Sequence, residues 1–211
     1  MSLSRFGSWR TVSGGQLMDL KMKEKIRLLV DGQLPEDQVK DLIRMTAKDP
    51  DRFWTYLRVL QERVVWDDTI LLRISEHLYI VRKEEGGKGD KAISRVVKCD
   101  CGHEFGDYRM NWKFHSMLAV RKTTPELEEV YNAGIMPNPE HLEVREFYCP
   151  GCSTQLGVEV APHGYPIVFE LLPDLDSLYR EWLCRPLPDE SPDWFQDRSA
   201  TVTAAWAKEA D

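Results

Sequence analysis

The chain has 211 residues, enough to bury a core in one or two domains. Its 42% hydrophobic and 30% charged content is ordinary for a globular protein, and no apolar run is long enough to cross a bilayer. A net charge of −7 argues against a nucleic-acid binder, which would carry a basic face; with no signal-peptide core before Gln16, a cytoplasmic protein is expected.

The first part, residues 1–66, reads as helical. Leu17, Leu20, Ile26, Leu29 and Val30 recur at helical spacing until Asp31-Gly32 stops the pattern. Leu34-Pro35-Glu36-Asp37 opens a second helix with the stripe Val39, Leu42 and Ile43. Asp49-Pro50 is a start signal for a third, carried on by Phe53, Trp54, Leu57, Leu60 and Val64. Basic side chains cluster at Arg5/Arg10 and at Lys21/Lys23/Lys25/Arg27.

After Trp66-Asp67-Asp68 the period shortens, and residues 67–187 read as a β-rich domain. Strands are expected at Ile70–Ile74 and Leu78–Val81, followed by a glycine-rich loop from Glu84 to Asp90. Ile93–Lys98 leads into Cys99-Asp100-Cys101-Gly102-His103, and Trp112–Val120 leads out as a strand. Thr124-Pro125-Glu126 starts a short helix reaching about Asn132. Leu142–Tyr148 alternates into Cys149-Pro150-Gly151-Cys152, and Gln155–Val160 alternates out. A last helix is expected over Asp174–Leu183. Residues 188–211 form an acidic arm whose segment Asp189–Asp211 holds six acids and two bases; it should be disordered or wrapped on a partner. The fold class is therefore α+β, an N-terminal helical part followed by a zinc-ribbon-like part.

Four of the five cysteines lie in the two short pairs, unlike a secreted disulfide scaffold. Zinc takes thiolates at about 2.3 Å in a tetrahedron, so Cys99, Cys101, Cys149 and Cys152 can close a structural shell. Gly102 and Gly151 suit the tight turns such a shell needs. The Cys-x-Cys spacing is tighter than usual and leaves His103 as a substitute for Cys99 or Cys101. Iron in a four-sulfur site and unmetallated thiol pairs are the alternatives. Cys184, alone beside Trp182, reads as a buried or partly buried thiol, and His115, His141 and His163 as surface or hydrogen-bonded histidines. Asp67-Asp68 and Glu128-Glu129 read as solvated acids. No catalytic residue, phosphate-cradling loop or dinucleotide fingerprint is present, so no catalytic or nucleotide site is assigned. Seven tryptophans, several near the chain ends (Trp9, Trp182, Trp194, Trp206), suggest a protein partner.

These residues resemble one family: the small zinc-binding subunit of acetone carboxylase and its acetophenone relative. The resemblance rests on Asp49-Pro50-Asp51-Arg52-Phe53, Leu60-Gln61-Glu62-Arg63 with Trp66-Asp67-Asp68, the two cysteine pairs with Asn111-Trp112-Lys113 and Arg145-Glu146-Phe147-Tyr148, and Tyr179-Arg180-Glu181-Trp182-Leu183. It implies a non-catalytic subunit of a cytoplasmic, ligase-type hetero-oligomer that carboxylates a ketone with bicarbonate to a 3-oxo acid at the expense of ATP. Hydantoinase-like larger subunits would bind ATP and a divalent metal, and the zinc ligands would be Cys99, Cys101, Cys149 and Cys152. The N-terminal extension, the longer 84–94 loop and the acidic tail favour acetophenone over acetone. A stand-alone zinc-ribbon adaptor or nucleic-acid module is the competing reading.

Overall fold

The computed structural model describes residues 14–44, 51–85, 92–132 and 134–209. They form two compact units that divide between Glu62 and Arg63.

The first unit is helical: α1 (Gly14–Val30), α2 (Glu36–Arg44) and α3 (Arg52–Gln61). Ile26, Leu42, Leu57, Val59 and Leu60 supply its buried apolar face. Gly32 ends α1 in the left-handed region (φ +66), where the Gln33 and Leu34 N–H groups return to the Leu28 carbonyl. Two of the expected basic side chains are paired: Lys23 and Arg27 both contact Glu62. Arg5, Arg10, Trp9 and the start signal Asp49-Pro50 lie outside the described residues.

The second unit contains two antiparallel meanders. The first sheet runs β1 (Thr69–Arg73), β2 (Leu78–Glu85), β3 (Ala92–Cys99) and β4 (Glu104–Asp107) in that order. The second runs β5 (Met117–Arg121), β6 (Leu142–Tyr148) and β7 (Gln155–Pro162), with the short helix α4 (Thr124–Glu128) between β5 and β6. Leu78, Ile80, Val81, Val97 and Phe105 are buried on one sheet, and Val144 and Phe147 on the other. The class is thus mixed α+β, helices first and sheets after. Among the described residues no helix is long and apolar enough to cross a membrane.

Several local expectations need correction. Trp112–Val120 is not one strand: Trp112–His115 is a 3-10 turn, because Asn111 Oδ1 accepts the Lys113 N–H and draws the backbone out of the ladder before β5. Strand β4 escapes the pattern, since only Phe105 of its four residues is buried and pairing to β3 supplies the rest. The helix at Thr124 ends at Glu128 rather than Asn132; the Glu126 carboxylate accepts the Thr123 N–H and holds its start. The final helix opens as α5 (Leu175–Ser177) and widens into a π-turn at Leu178–Trp182. Cys184, expected to be buried or partly buried, is exposed and adopts a left-handed φ of +51.

The acidic tail packs on its own chain. Arg95, its side chain fully buried, pairs with Asp176 at 2.6 Å and Asp189 at 2.9 Å. The Trp194 ring lies 4.6 Å from both the Arg95 and Arg109 guanidiniums. Beyond it, helix α6 (Ser199–Glu209) is tied on by the Asn111 N–H donating to Ser199 Oγ, and by Trp206 against Phe114. Trp182 is 82% exposed.

Candidate metal centre

Each cysteine pair sits in a hairpin turn of a different sheet. Cys99 ends β3 and Cys101 follows in the turn to β4; Cys149 and Cys152 occupy the turn between β6 and β7. In the first turn the Cys99 N–H bonds the His103 carbonyl and the Gly102 N–H bonds the Cys99 carbonyl. Gly102 takes φ +96 to close it. In the second, the Cys149 N–H bonds the Thr154 carbonyl, the Ser153 N–H bonds the Cys149 carbonyl, and Ser153 itself adopts φ +59.

The two turns face one another and bring all four sulfurs within 4.8 Å of each other. Cys99 Sγ is 3.8 Å from Cys152 Sγ, and Cys101 Sγ is 3.7 Å from Cys149 Sγ. A disulfide would need about 2.05 Å. Four thiolates set tetrahedrally at about 2.3 Å from one ion stand about 3.8 Å apart, so the arrangement could hold a single metal ion. Gly151 is what allows the approach: a Cβ there would lie 2.9 Å from His103 Cβ and 3.2 Å from Cys101 Sγ. His103 is not part of the sulfur group; its ring packs edge-on against Phe105 at 5.0 Å.

The electrostatics suit a cation. Burial pushes the Cys99 and Cys149 thiols up, each helped by the neighbouring cysteines. The Cys152 thiol moves the other way, to about 6, because the Thr154 hydroxyl and backbone N–H favour its thiolate. Two desolvated sulfurs beside an easily ionised one gain stability as thiolates only when a positive ion shares the space.

Asp68, read from the sequence as a solvated acid, belongs to a group that braces the first turn. Trp66 Nε1 donates to the carbonyls of Cys99 and Asp100 at 3.1 Å each. Asp68 pairs with Lys98, whose ammonium lies 5.0 Å from the Trp66 ring. Asp100 meets His77 Nδ1 at 2.6 Å, and Glu104 is shared by Lys83 and Lys98; burial opposes the Glu104 charge but the two lysines keep its pKa below the ordinary value. In the sequence Trp66-Asp67-Asp68 marks the change of period and carries part of the family resemblance, but nothing in its spacing points to the cysteine turn. His163 is hydrogen-bonded as expected, its Nε2 3.0 Å from the Pro139 carbonyl oxygen.

Residues 64–183, which include all four cysteines, match the family described as the acetone carboxylase gamma subunit. The acetone carboxylase gamma subunit of Xanthobacter autotrophicus is 38% identical over 169 residues, covering 80% of this chain and 96% of that protein. The acetophenone carboxylase beta subunit of Aromatoleum aromaticum is 34% identical over 83 residues, 37% of this chain and 63% of that relative's own length.

Proposed function

Because this chain belongs to the acetone carboxylase gamma subunit family, we propose that it is the small, metal-holding subunit of a ketone carboxylase complex. The observation that carries the role is the sulfur cluster: Cys99, Cys101, Cys149 and Cys152 join turns from two separate sheets with all four sulfurs within 4.8 Å of one another. Zinc is the ion that fits such a shell, and the zinc-ribbon character of the fold goes with it. The ion is structural here. Four sulfurs leave no coordination position for water, and the nearby acids Asp100 and Glu104 are engaged by His77, Lys83 and Lys98. The ligase-type chemistry with ATP, bicarbonate and a second divalent metal belongs to larger, hydantoinase-like subunits of a hetero-oligomer. Trp182, 82% exposed within the family-matched region, is a contact residue for such a partner. Reduced, paired thiols suit the cytoplasm.

For the ketone, the match over 80% of the chain supports acetone first. Acetophenone, favoured by the chain's extensions, is supported by the second relative over 83 residues.

The test is co-expression with candidate larger subunits, followed by metal analysis and ATP-dependent carboxylation of acetone and acetophenone. One zinc per copy and co-purification of the assembly are expected, with Cys149→Ser losing both. A stand-alone monomer, or full zinc retention and assembly in Cys149→Ser, would overturn the reading.

A further inference from the structure

The hairpin that carries Cys99 and Cys101 is the weaker of the two. Its second strand, β4, has four residues and lies at the edge of the first sheet. It pairs with β3 at Val96 opposite Asp107 and Lys98 opposite Glu104, across a bulge where Gly106 takes φ +85. The other cysteine hairpin is better secured. There β6 and β7 pair from Leu142 opposite Pro162 to Tyr148 opposite Gln155, and β5 pairs along the far side of β6.

The tail fastens the weaker hairpin at the end away from its cysteines. Arg95, Val97 and Cys99 alternate onto one face of β3, so Arg95 lies about 13 Å back along the strand on the side of the first ligand. Asp189 meets Arg95 Nε at 2.9 Å, and the Trp194 ring contacts the guanidiniums of Arg95 and Arg109. The Tyr108 N–H bonds the Arg95 carbonyl, so the residues just beyond β4 stand across the hairpin from Arg95. They too are held: the Tyr108 hydroxyl donates to the Trp194 carbonyl at 2.5 Å, and Arg109 Nη1 to the Asp193 carbonyl at 3.0 Å. The Arg198 N–H donates to the Arg109 carbonyl at 2.8 Å, and the Asn111 N–H to Ser199 Oγ at 2.9 Å. One segment, residues 189–199, thus grips both strands. Arg95, Tyr108 and Arg109 lie inside the family-matched region, which ends at residue 183, whereas the segment that grips them lies beyond it.

We propose that the tail is a clasp on the metal centre. Asp189 and Trp194 are positioning residues that act through β3 and β4, hold the Cys99–Cys101 turn against the Cys149–Cys152 turn, and so slow release of the ion. Release from four sulfurs begins with one turn lifting away, and the turn on the shorter, bulged ladder lifts first. Opening that hairpin breaks the tail contacts along with the pairing of β3 to β4. The inference rests on the metal reading of the four cysteines and adds which residues set the rate of exchange.

The test loads the full-length chain with zinc and follows transfer of the ion to a chromophoric chelator well below the unfolding temperature. Trp194→Ala should speed release at least about tenfold, since contacts to two guanidiniums are lost. Trp194→Phe keeps an aromatic face and should stay within about threefold of the parent chain. Ser199→Ala, a milder change that removes the acceptor of the Asn111 N–H, should speed release about twofold to tenfold and decides the matter if Trp194→Ala does not fold. Leu127→Ala is the control: it opens a cavity under α4, between β5 and β6, and should alter release by less than about threefold. In Trp194→Ala the amides of Cys99 and Gly102 should lose hydrogen-exchange protection while those of Cys149 and Ser153 keep theirs. Release unchanged in both Trp194→Ala and Ser199→Ala, or speeded as much by Leu127→Ala, would overturn the clasp. Zinc held tightly with an indifferent tail would leave the assembly reading standing, whereas a chain that binds no zinc would sink both.

Discussion

At the scale of single residues, Gly151 carries the most consequence. A methyl group there would be forced against His103 and Cys101 across the gap between the two turns. Gly151→Ala should cost about 1–3 kcal/mol by overpacking and speed metal loss to a chelator, read by thermal unfolding and a zinc indicator. The sequence pointed to this glycine for turn tightness. Its true constraint is the facing turn, which lies 48 residues away along the chain between Cys101 and Cys149 and is invisible in a local pattern. Gly102 is different: its φ of +96 is the local requirement its position suggested. Glu143 sets a pH response. Burial opposes its charge, but Arg145, Lys122 and His163 outweigh that and hold its pKa below the ordinary value of 4.5. A depressed folded pKa means the contribution to stability is complete above pH 4.5 and is lost as pH falls through the lower folded value. Glu143→Gln should therefore flatten the fall of Tm below pH 4.5. An acid limb as steep as that of the parent chain would contradict this.

At the scale of elements, the tail is held by ionic and aromatic contacts rather than by an apolar stripe, which is why composition alone made it look free. Arg95 is buried and paired with Asp176 and Asp189, and the Trp194 ring contacts both Arg95 and Arg109. Arg95→Met strands two carboxylates and should cost about 3–5 kcal/mol in denaturant unfolding. The tail beyond Asp189 should also become sensitive to brief proteolysis. The π-turn at Leu178–Trp182 carries Tyr179, whose buried hydroxyl donates to the Leu71 carbonyl at 2.8 Å. Tyr179→Phe leaves that acceptor unpaired and should cost about 1–3 kcal/mol. Long periodic helices and alternating strands were legible from residue spacing. The turn at Trp112 and strand β4 were not, since a side-chain cap and a neighbouring strand decided them.

At the scale of the whole molecule, the proposed zinc stabilises only the unit that begins at Arg63, since all four cysteines lie there. Chelation should strip hydrogen-exchange protection first from β3, β4, β6 and β7, while the amides of α1 and α3 keep theirs. Simultaneous loss across both units would contradict a metal effect confined to the second. The cysteine pairs were the most legible part of the site, because ligand spacing is written locally. A cavity lined by Ser75, Asn111 and Gly157 was not legible: its walls come from five separate stretches, and nothing short of the fold brings them together.

The spacing of the two turns also has a meaning in time. Facing sulfurs are 48 and 53 residues apart along the chain. At roughly 5–20 residues per second, the second pair leaves the ribosome some 3–10 s after the first. During that interval an ion caught by Cys99 and Cys101 would have only two protein ligands and would exchange freely. If the sulfur cluster takes up an ion, capture would become lasting only once Cys152 has emerged and the later hairpin has closed, so the ion would be loaded late, as the two sheets meet.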